Sequence, residues 1–170
     1  YGNVELADGI IKDGLFCSFG NVLMGEGTDR DTGTTISRDE QDQFAVTSNV
    51  RAAAAQEKGL FDDEMIPVAI PQRKGDPVMF KVDEGVRGNT TMESLGSLKP
   101  AFVKDGTITA GNASQISDGG SAVIVMSKAA ADKHGVTPLG EIVSYGMVAG
   151  PGDTSLLHQP SNAINKALAK

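Results

Sequence analysis

Small and apolar residues recur at steps of three and four between residues 37 and 58, and this spacing predicts a helix. Ser37 and Glu40 have the spacing of a capping box, in which the serine hydroxyl accepts from the third amide and the glutamate reaches back. Gly59 stands where a left-handed residue commonly ends a helix. We expect one face of this helix to be lined by Phe44, Ala45, Ser48, Ala52 and Ala55.

Two short strands are predicted over residues 65–70 and 78–82. The segment between them, residues 71–77, contains the proline and glycine residues that turns use. Residues 1–36 show no regular pattern and are rich in glycine, with an apolar patch at Leu15, Phe16 and Phe19.

A shorter helix is predicted over residues 90–98. Thr90 and Glu93 have the spacing of a second capping box. Pro100 ends this helix, because the residue before a proline avoids the helical conformation.

From residue 121 onward, the pattern alternates between strands and helices. Residues 121–126 are β-rich and apolar on both faces, as in a buried parallel strand. A helix over residues 128–134, capped by Gly135, then leads to a strand-like segment at 139–148 and to helical spacing at 162–170. This order is typical of an α/β layer, whereas the chain before it is α+β in character.

The length and composition fit about one domain. The chain has 170 residues, of which 39% are hydrophobic, and a core is possible at this length. Its 21 Gly and 7 Pro residues favour many turns. With 15 basic and 22 acidic residues the net charge is −7, which argues against a non-specific nucleic-acid binder and against attraction to an anionic membrane surface.

The single cysteine, Cys17, bears on both the compartment and the chemistry. An internal disulfide and a multi-cysteine zinc site are excluded, and we expect a reducing, cytoplasmic setting without a signal peptide or a membrane span. No histidine or basic group lies near Cys17 in sequence, so a small buried or half-buried side chain is favoured over a nucleophile. The chain begins at Tyr1 rather than Met and ends inside a predicted helix at Lys170, as expected of a piece of a longer protein.

Three isolated motifs carry weak chemical signals. Residues 31–34, Asp-Thr-Gly-Thr, match the short signature of aspartic proteases, but they have no second copy and follow a polar run, so we interpret them as a solvated surface turn. Asp29 and Asp31 lack the glycine and glutamate spacing of a calcium loop. His134 and His158 have no ligand-spaced partner and are interpreted as helix-end or loop residues, so no metal site is expected.

The most distinctive stretch is the run of small residues at 105–114, which a second small-residue segment follows at 117–121. Such a run allows the backbone to approach a ligand or another segment of the chain closely. The residues alone leave both alternatives open: a binding site, or a tight crossing within the core.

Several motifs, in order and with matching spacing, resemble the thiolase family, and acetyl-CoA acetyltransferases in particular. The family segment G-T-[VI]-T-A-G-N-A-S is matched by residues 106–114, and its D-G-A-A-A strand entry by residues 118–122. The family segments S-R-E-E-Q-D-x-F-A and R-A-A-A-A-Q are matched by residues 37–45 and 51–56. D-E-x-x-R with a following threonine, and L-x-P-A-F, are matched at residues 83–91 and 98–102.

The resemblance implies a middle fragment of a thiolase, an α/β enzyme whose layered fold repeats a βαβαβαββ unit in two halves. In that family, an α+β loop domain inserted in the N-terminal half covers the active site and binds coenzyme A. Residues 1–116 correspond to the loop domain, residues 117–137 to the last strand and helix of the N-terminal half, and residues 138–170 to the start of the C-terminal half.

The resemblance also implies a set of contacts to coenzyme A. The family's arginine at the nucleotide end corresponds to Arg87, and its serine at the pantetheine amide corresponds to Ser114. A local cation is needed because coenzyme A is a polyanion and the chain is acidic. The residues expected to contact coenzyme A are Leu15, Met24, Arg87, Leu98, Ala101, Phe102, Ala110, Ala113 and Ser114.

The activity implied by the resemblance is the condensation or cleavage of acyl-CoA thioesters through an acyl-cysteine intermediate. Coenzyme A is then a substrate, and no metal or redox cofactor is expected. The two catalytic cysteines and the histidine of the family have no counterpart here, so no catalytic residue is assigned and this segment alone is expected to be inactive.

The parent enzyme is expected to be a homo-oligomer with acyl-CoA as partner, without nucleic acid or membrane. The alternative is a non-catalytic module, derived from a thiolase, for CoA binding or interaction.

Two features depart from the family pattern. Leu23 replaces the histidine that often precedes Met24 and Gly25. Residues 27–35 have no helical pattern, so the helix usual at this place is expected to be missing.

Overall fold

The structure is a computed structural model that describes residues 1–32, 35–149 and 157–170. These residues form two units, one from Tyr1–Thr28 and Ile116–Lys170 and one from Asp29–Gln115. After a short π-helix, Ile10–Leu15, the helices α1 to α5 are Met24–Thr32, Arg38–Glu57, Met92–Gly96, Lys128–His134 and Gln159–Leu168. The strands β1 to β4 are Phe16–Cys17, Val22–Leu23, Val68–Ile70 and Val78–Phe80, and they form two antiparallel pairs, β1 with β2 and β3 with β4.

Helix α2 and its caps confirm the prediction for residues 37–58. The Ser37 hydroxyl accepts a hydrogen bond from the Glu40 amide at 3.3 Å, and the Glu40 carboxylate accepts one from the Ser37 amide at 2.9 Å. Gly59 adopts a φ of +67°, and a Cβ there would lie 2.6 Å from the Asp62 carboxylate. Glycine therefore ends the helix for two reasons, its positive φ and the lack of space.

The face of α2 that packs differs in part from the prediction. Asp42 and Ala45 are its buried residues, while Phe44 is 77% exposed and Ser48 is also exposed. A prediction from apolar spacing places the aromatic ring inside and the carboxylate outside. In the structure Asp42 faces inward and Phe44 outward, because Asp42 has polar partners elsewhere in the second unit, which are described below.

The capping box formed by Ser37 and Glu40 contributes to the stability of the fold in a pH-dependent way. Hydrogen bonds from the Ser37 hydroxyl and amide hold the pKa of Glu40 below its usual value of 4.5. Because the pKa is lower in the folded state, the stabilisation is complete above pH 4.5 and is lost as the pH falls through the lowered pKa. We expect the difference in melting temperature between the parent chain and Glu40→Gln to change with pH only in this acidic range. An equal difference at neutral and acidic pH would contradict this origin.

Strands β3 and β4 confirm the predicted pair, with shorter bounds. Val68 pairs with Phe80, Ala69 with Met79 and Ile70 with Val78. All six residues are exposed on this hairpin. Gly75 has a φ of +87° in the connecting turn, so this position needs glycine.

The second capping box lies one residue later than predicted. Helix α3 begins after Thr91, whose hydroxyl accepts from the Ser94 amide at 3.1 Å, and the Ser94 hydroxyl accepts from the Thr91 amide at 3.0 Å. The Thr90 hydroxyl instead donates to the Arg87 carbonyl at 2.7 Å, in the turn that precedes the helix.

The N-terminal region is more regular than predicted. A hairpin pairs Phe16 with Leu23 and Cys17 with Val22, and helix α1 forms over Met24–Thr32, where the sequence predicted none. Its acidic Glu26 near the start and basic Arg30 near the end suit the helix dipole. A buried contact of Asp29 supplies what the local propensity lacks, so tertiary structure overrides the weak helical pattern.

The two strands predicted at 121–126 and 139–148 do not form. Val123, Ile124 and Val125 are 86%, 88% and 72% exposed, and the described residues of both segments carry no strand pairing. A strand requires a hydrogen-bonded neighbour, and the described part of the chain offers none to these segments. The two helices predicted around them are confirmed as α4, capped by Gly135 at φ +63°, and α5.

Helix α5 packs closely against residues 144–147. The Ser144 hydroxyl donates to the Ala167 carbonyl at 2.7 Å, and the Lys166 ammonium donates to the Met147 carbonyl at 3.1 Å. A Cβ at Gly146 would collide with the Ala163 carbonyl oxygen, so only glycine allows this approach. Neither this helix nor any other in the described ranges has both the length and the apolar character needed to cross a bilayer.

Candidate functional site

The small-residue run at 106–114 folds into a tight turn that buries a threonine. Thr109 is fully buried, and its carbonyl accepts from the amides of Asn112 and Ala113 at 3.3 and 3.0 Å. The side-chain oxygen of Asn112 accepts from the Thr109 amide at 2.8 Å, and the Thr109 hydroxyl accepts from the Gly111 amide at 3.2 Å. The turn therefore satisfies its polar groups from within, as a buried backbone must.

A buried carboxylate on α2 holds the far end of this turn. Asp42 is 1% exposed, and its Oδ1 accepts from the Asn112 side-chain amide at 2.9 Å. The same amide donates to the Thr107 carbonyl at 3.0 Å. Asp42 Oδ2 is paired with Arg38 Nε at 2.7 Å, so a neighbouring guanidinium compensates the buried charge.

The guanidinium of Arg38 also reaches the end of α3. Its Nη2 donates to the Leu95 carbonyl at 2.6 Å and to the Leu98 carbonyl at 3.2 Å. A Cβ at Gly111 would collide with the Leu95 side chain and lie 2.7 Å from that of Leu98. Arg38, Asp42 and Asn112, which we call the anchor cluster, thus join α2, the end of α3 and the small-residue turn.

A second buried carboxylate, Asp29 on α1, holds the near end of the run. Asp29 is 7% exposed, and its Oδ1 accepts from the amides of Thr107 and Ile108 at 2.7 and 3.1 Å and from the Thr107 hydroxyl at 3.2 Å. A Cβ at Gly106 would collide with Asp29 Oδ2, which has no hydrogen-bond partner among the described residues. Asp29 belongs to the polar run that precedes residues 31–34 and that was expected to be solvated, and for this residue the expectation was wrong.

Seven of the nine residues expected to contact coenzyme A lie in the second unit. The amide of Ala101 donates to the Ile108 carbonyl at 2.8 Å, which brings the segment of Ala101 and Phe102 beside the small-residue turn. Leu98 and Phe102 are 36% and 43% exposed, so apolar side chains face outward next to the turn. Ala110, Ala113 and Ser114 are exposed on the turn itself.

Arg87 stands apart from the turn and is held by its backbone. Its amide donates to Asn49 Oδ1 at 3.0 Å, while its exposed guanidinium has no partner among the residues that the structure describes. In the first unit, Leu15 is half-buried at the end of the π-helix and Met24 is 41% exposed at the start of α1. The nine contacts to coenzyme A stay predictions.

The other candidate groups are not assembled into a catalytic site. Cys17 is buried opposite Val22 in the first hairpin, and its sulfur accepts from the Gly20 amide at 3.4 Å, so the prediction of a buried side chain is confirmed. His134 lies in the last turn of α4 and His158 directly precedes α5, as predicted for helix-end residues. Asp31 and Thr32 end α1 rather than forming a turn, and Gly33 and Thr34 lie outside the described residues.

An open groove of about 570 Å³ runs along the exposed face of α2. None of the nine predicted contact residues lines it. Its lining residues are Asp39, Glu40, Gln43, Phe44, Thr47, Arg51 and Met92.

The anchor cluster and Asp29 were not recognised as candidates in the sequence. One local signal was available, since Arg38 and Asp42 have the i,i+4 spacing of a helical ion pair. No local signal connects Asp42 with Asn112, which follows it by 70 residues.

Comparison with known proteins gives a consistent set of similarities. A family profile described as thiolase, N-terminal domain, matches residues 1–129. The probable acetyl-CoA acetyltransferase of Mycolicibacterium smegmatis is 55% identical over 171 aligned residues, which is 100% of this chain and 44% of that protein. The probable acetyl-CoA acetyltransferase of Mycobacterium tuberculosis is 53% identical over 99% of this chain and 43% of that protein.

Solved structures give the same picture. The crystal structure of the Bacillus anthracis acetyl-CoA acetyltransferase matches with a TM-score of 0.82 and 36% identity, over 99% of this chain and 42% of that one. The acetyl-CoA acetyltransferase from Syntrophomonas wolfei matches with a TM-score of 0.79 and 32% identity. The chain spans less than half the length of the curated relatives that it matches.

Proposed function

The chain belongs to the thiolase family, and on that premise we propose that it supplies the CoA-binding part of an acetyl-CoA acetyltransferase. The proposed reaction joins two acetyl-CoA molecules into acetoacetyl-CoA and free CoA, or runs in reverse. The observation that carries the proposal is the identity of 55% over the full chain with a relative named as a probable acetyl-CoA acetyltransferase. The α/β, thiolase-like fold expected from the sequence is confirmed by the solved structures.

We assign the CoA-binding role to residues 1–116 as a loop domain. Support comes from the exposed apolar residues Leu98 and Phe102, which lie next to a turn of small residues. The pantetheine arm is thin and carries amides, so small side chains and one hydroxyl suit it. The exposed guanidinium of Arg87, which has no partner among the described residues, supplies the cation that a polyanionic ligand needs on a chain of net charge −7.

The proposed chemistry divides between this chain and the rest of the enzyme. The proposed acyl transfer is redox-neutral: the cysteine thiolate attacks the first acetyl-CoA, and CoA leaves as the thiolate and takes up a proton. A base then removes an α-proton from the second acetyl-CoA, whose carbanion attacks the acyl-cysteine, forms the new C–C bond and releases the cysteine thiolate. Cys17 is buried and has no histidine beside it in the hairpin, so it is not suited to this step. We therefore propose that the nucleophile and the base lie in the remainder of the parent enzyme. We propose that this enzyme is cytoplasmic and homo-oligomeric. It takes CoA as substrate and uses no metal or redox cofactor.

The natural full-length protein is expected to convert acetoacetyl-CoA and CoA into acetyl-CoA, whereas the 170-residue chain alone is expected to show no turnover above background. A spectrophotometric thiolysis assay of both proteins makes this comparison. Full-length protein that binds CoA without turnover would favour the non-catalytic alternative. Turnover by the chain alone, abolished by Cys17→Ala, would show that the cysteine is misassigned.

Arg87→Ala and Ser114→Ala are both expected to weaken CoA binding, but only the loss at Arg87 should depend on salt. Loss of the exposed Arg87 contact should cost ~1 kcal/mol at low ionic strength and less at high ionic strength, because salt screens exposed charges. Loss of the neutral Ser114 hydrogen bond should cost ~0.5–1.5 kcal/mol with little salt dependence. Calorimetric titration with CoA at two salt concentrations measures both effects.

The control for this comparison is Arg51→Ala, which removes an exposed cation in the groove along α2, away from the predicted contacts. The affinity of the Arg51→Ala variant for CoA should equal that of the protein without substitutions at each salt concentration. A salt-sensitive loss at Ser114, or unchanged binding in both variants, would show that the two roles are wrong.

A further inference from the structure

We propose that the anchor cluster positions the pantetheine-binding turn, so that Arg38, Asp42 and Asn112 act on the ligand through Ser114 and its neighbours without touching it. This inference rests on the proposed function, because it takes the small-residue turn as the pantetheine site. It goes beyond that function by naming residues outside the predicted contact set and by giving them a role in affinity.

The first step of the argument is the reach of Asn112. Its amide nitrogen donates to Asp42 at 2.9 Å and to the Thr107 carbonyl at 3.0 Å, and its oxygen accepts from the Thr109 amide at 2.8 Å. One side chain thus fixes both arms of the turn and attaches the turn to α2. Ser114 follows Asn112 by two residues, so the backbone that carries its hydroxyl is placed by this attachment.

The second step is the charge at the centre of the cluster. A carboxylate that is 1% exposed keeps its position only while its partners remain, because unpaired burial of the charge is unfavourable. Arg38 pairs with this carboxylate and also donates to the carbonyls of Leu95 and Leu98. The predicted apolar contact Leu98 and the predicted polar contact Ser114 are therefore held by the same carboxylate.

The third step is that Arg87 is held separately. Its amide binds Asn49, which lies two helical turns beyond Asp42 on α2 and outside the anchor cluster. A change in the cluster should therefore alter the contact at Ser114 but leave the contact at Arg87 intact. A cluster that only stabilises the fold would have no such selectivity.

A double-mutant cycle in the natural full-length protein tests this selectivity. The variants are Asn112→Ala, Ser114→Ala and Arg87→Ala, with the doubles that combine Asn112→Ala with each of the other two, and the readout is the dissociation constant for CoA by calorimetry. We expect Asn112→Ala to weaken CoA binding about fivefold, because the predicted hydrogen bond between Ser114 and CoA is lost when the turn moves. The loss should fall below about twofold when Ser114 is already alanine, and should stay near fivefold when Arg87 is alanine.

Equal losses in all three backgrounds would overturn the inference, since they would show that Asn112 does not act through Ser114. The binding of CoA by the full-length protein without substitutions reports separately on the proposed function. If that protein does not bind CoA, the proposed function and the inference both fail. Circular dichroism and melting curves establish that each variant is folded.

If Asn112→Ala does not fold, Arg38→Lys gives a second test. Lysine keeps the charge beside Asp42 but lacks the planar fork that reaches both carbonyls. We expect the KM for CoA to rise about threefold, for the partial loss of one hydrogen bond, with kcat unchanged. A fall in kcat at constant KM, or no change in either, would contradict a positioning role.

Discussion

Replacing Asp42 with alanine is expected to lower the free energy of unfolding of the chain by about 3 kcal/mol, the low end of the range for breaking a buried ion pair. The low end applies because the Arg38 side chain is 23% exposed and water can partly solvate the guanidinium that is left. The loss also removes the acceptor of the Asn112 amide. Urea unfolding followed by circular dichroism measures the change.

Asp42→Asn separates the loss of the charge from the loss of the hydrogen bond, and Phe44→Ala is the control. Asp42→Asn keeps an oxygen that can accept from Asn112 but removes the charge that faces Arg38, so it should cost less than alanine. Phe44→Ala deletes a larger side chain two positions away that is 77% exposed, and it should change stability by no more than about 0.5 kcal/mol. A larger effect at Phe44 than at Asp42 would mean that α2 packs through its apolar face after all.

Asp29→Ala is expected to cost ~2 kcal/mol, because it leaves the amides of Thr107 and Ile108 without their acceptor. An unsatisfied buried amide is more costly than the loss of an exposed contact, so the effect should exceed that of an ordinary surface carboxylate. The matched control is Asp105→Ala, which removes an exposed carboxylate from the same segment.

Asp105→Ala should stay within about 0.5 kcal/mol of the parent chain. Urea unfolding of both variants gives the comparison. Equal, small effects at the two aspartates would show that the near end of the small-residue run is not held by Asp29.

The helix ends that the sequence predicted correctly are fixed by residues close to one another in the chain. Ser37, Glu40 and Gly59 determine the ends of α2 through their own backbone contacts, so both ends could be predicted. The start of α3 was missed by one residue because Thr90 and Thr91 are both possible caps. In the structure the Thr91 hydroxyl accepts from the Ser94 amide, whereas the Thr90 hydroxyl donates to the Arg87 carbonyl.

The features that could not be predicted depend on distant segments. Asp29 and Asp42 are charged residues in polar surroundings of the sequence, and nothing local shows that their acceptor oxygens face buried amides from the run at 107–112. Helix α1 was missed for the same reason. The apolar pattern at 121–126 was recognised, but a strand also requires a neighbouring strand, which the described part of the chain does not provide.

The long sequence separations between the residues that hold the small-residue turn and the end of α3 bear on the order in which the chain folds. Asn112 and Asp42 are 70 residues apart, Arg38 and Leu95 are 57 apart, and Thr107 and Asp29 are 78 apart. Closing such loops costs entropy before any contact forms, so distant pairs come together late, whereas a capped helix such as α2 can form early from local contacts. We therefore expect the small-residue turn to be among the last parts to reach its native conformation during folding, and a bound ligand to slow its opening in hydrogen exchange.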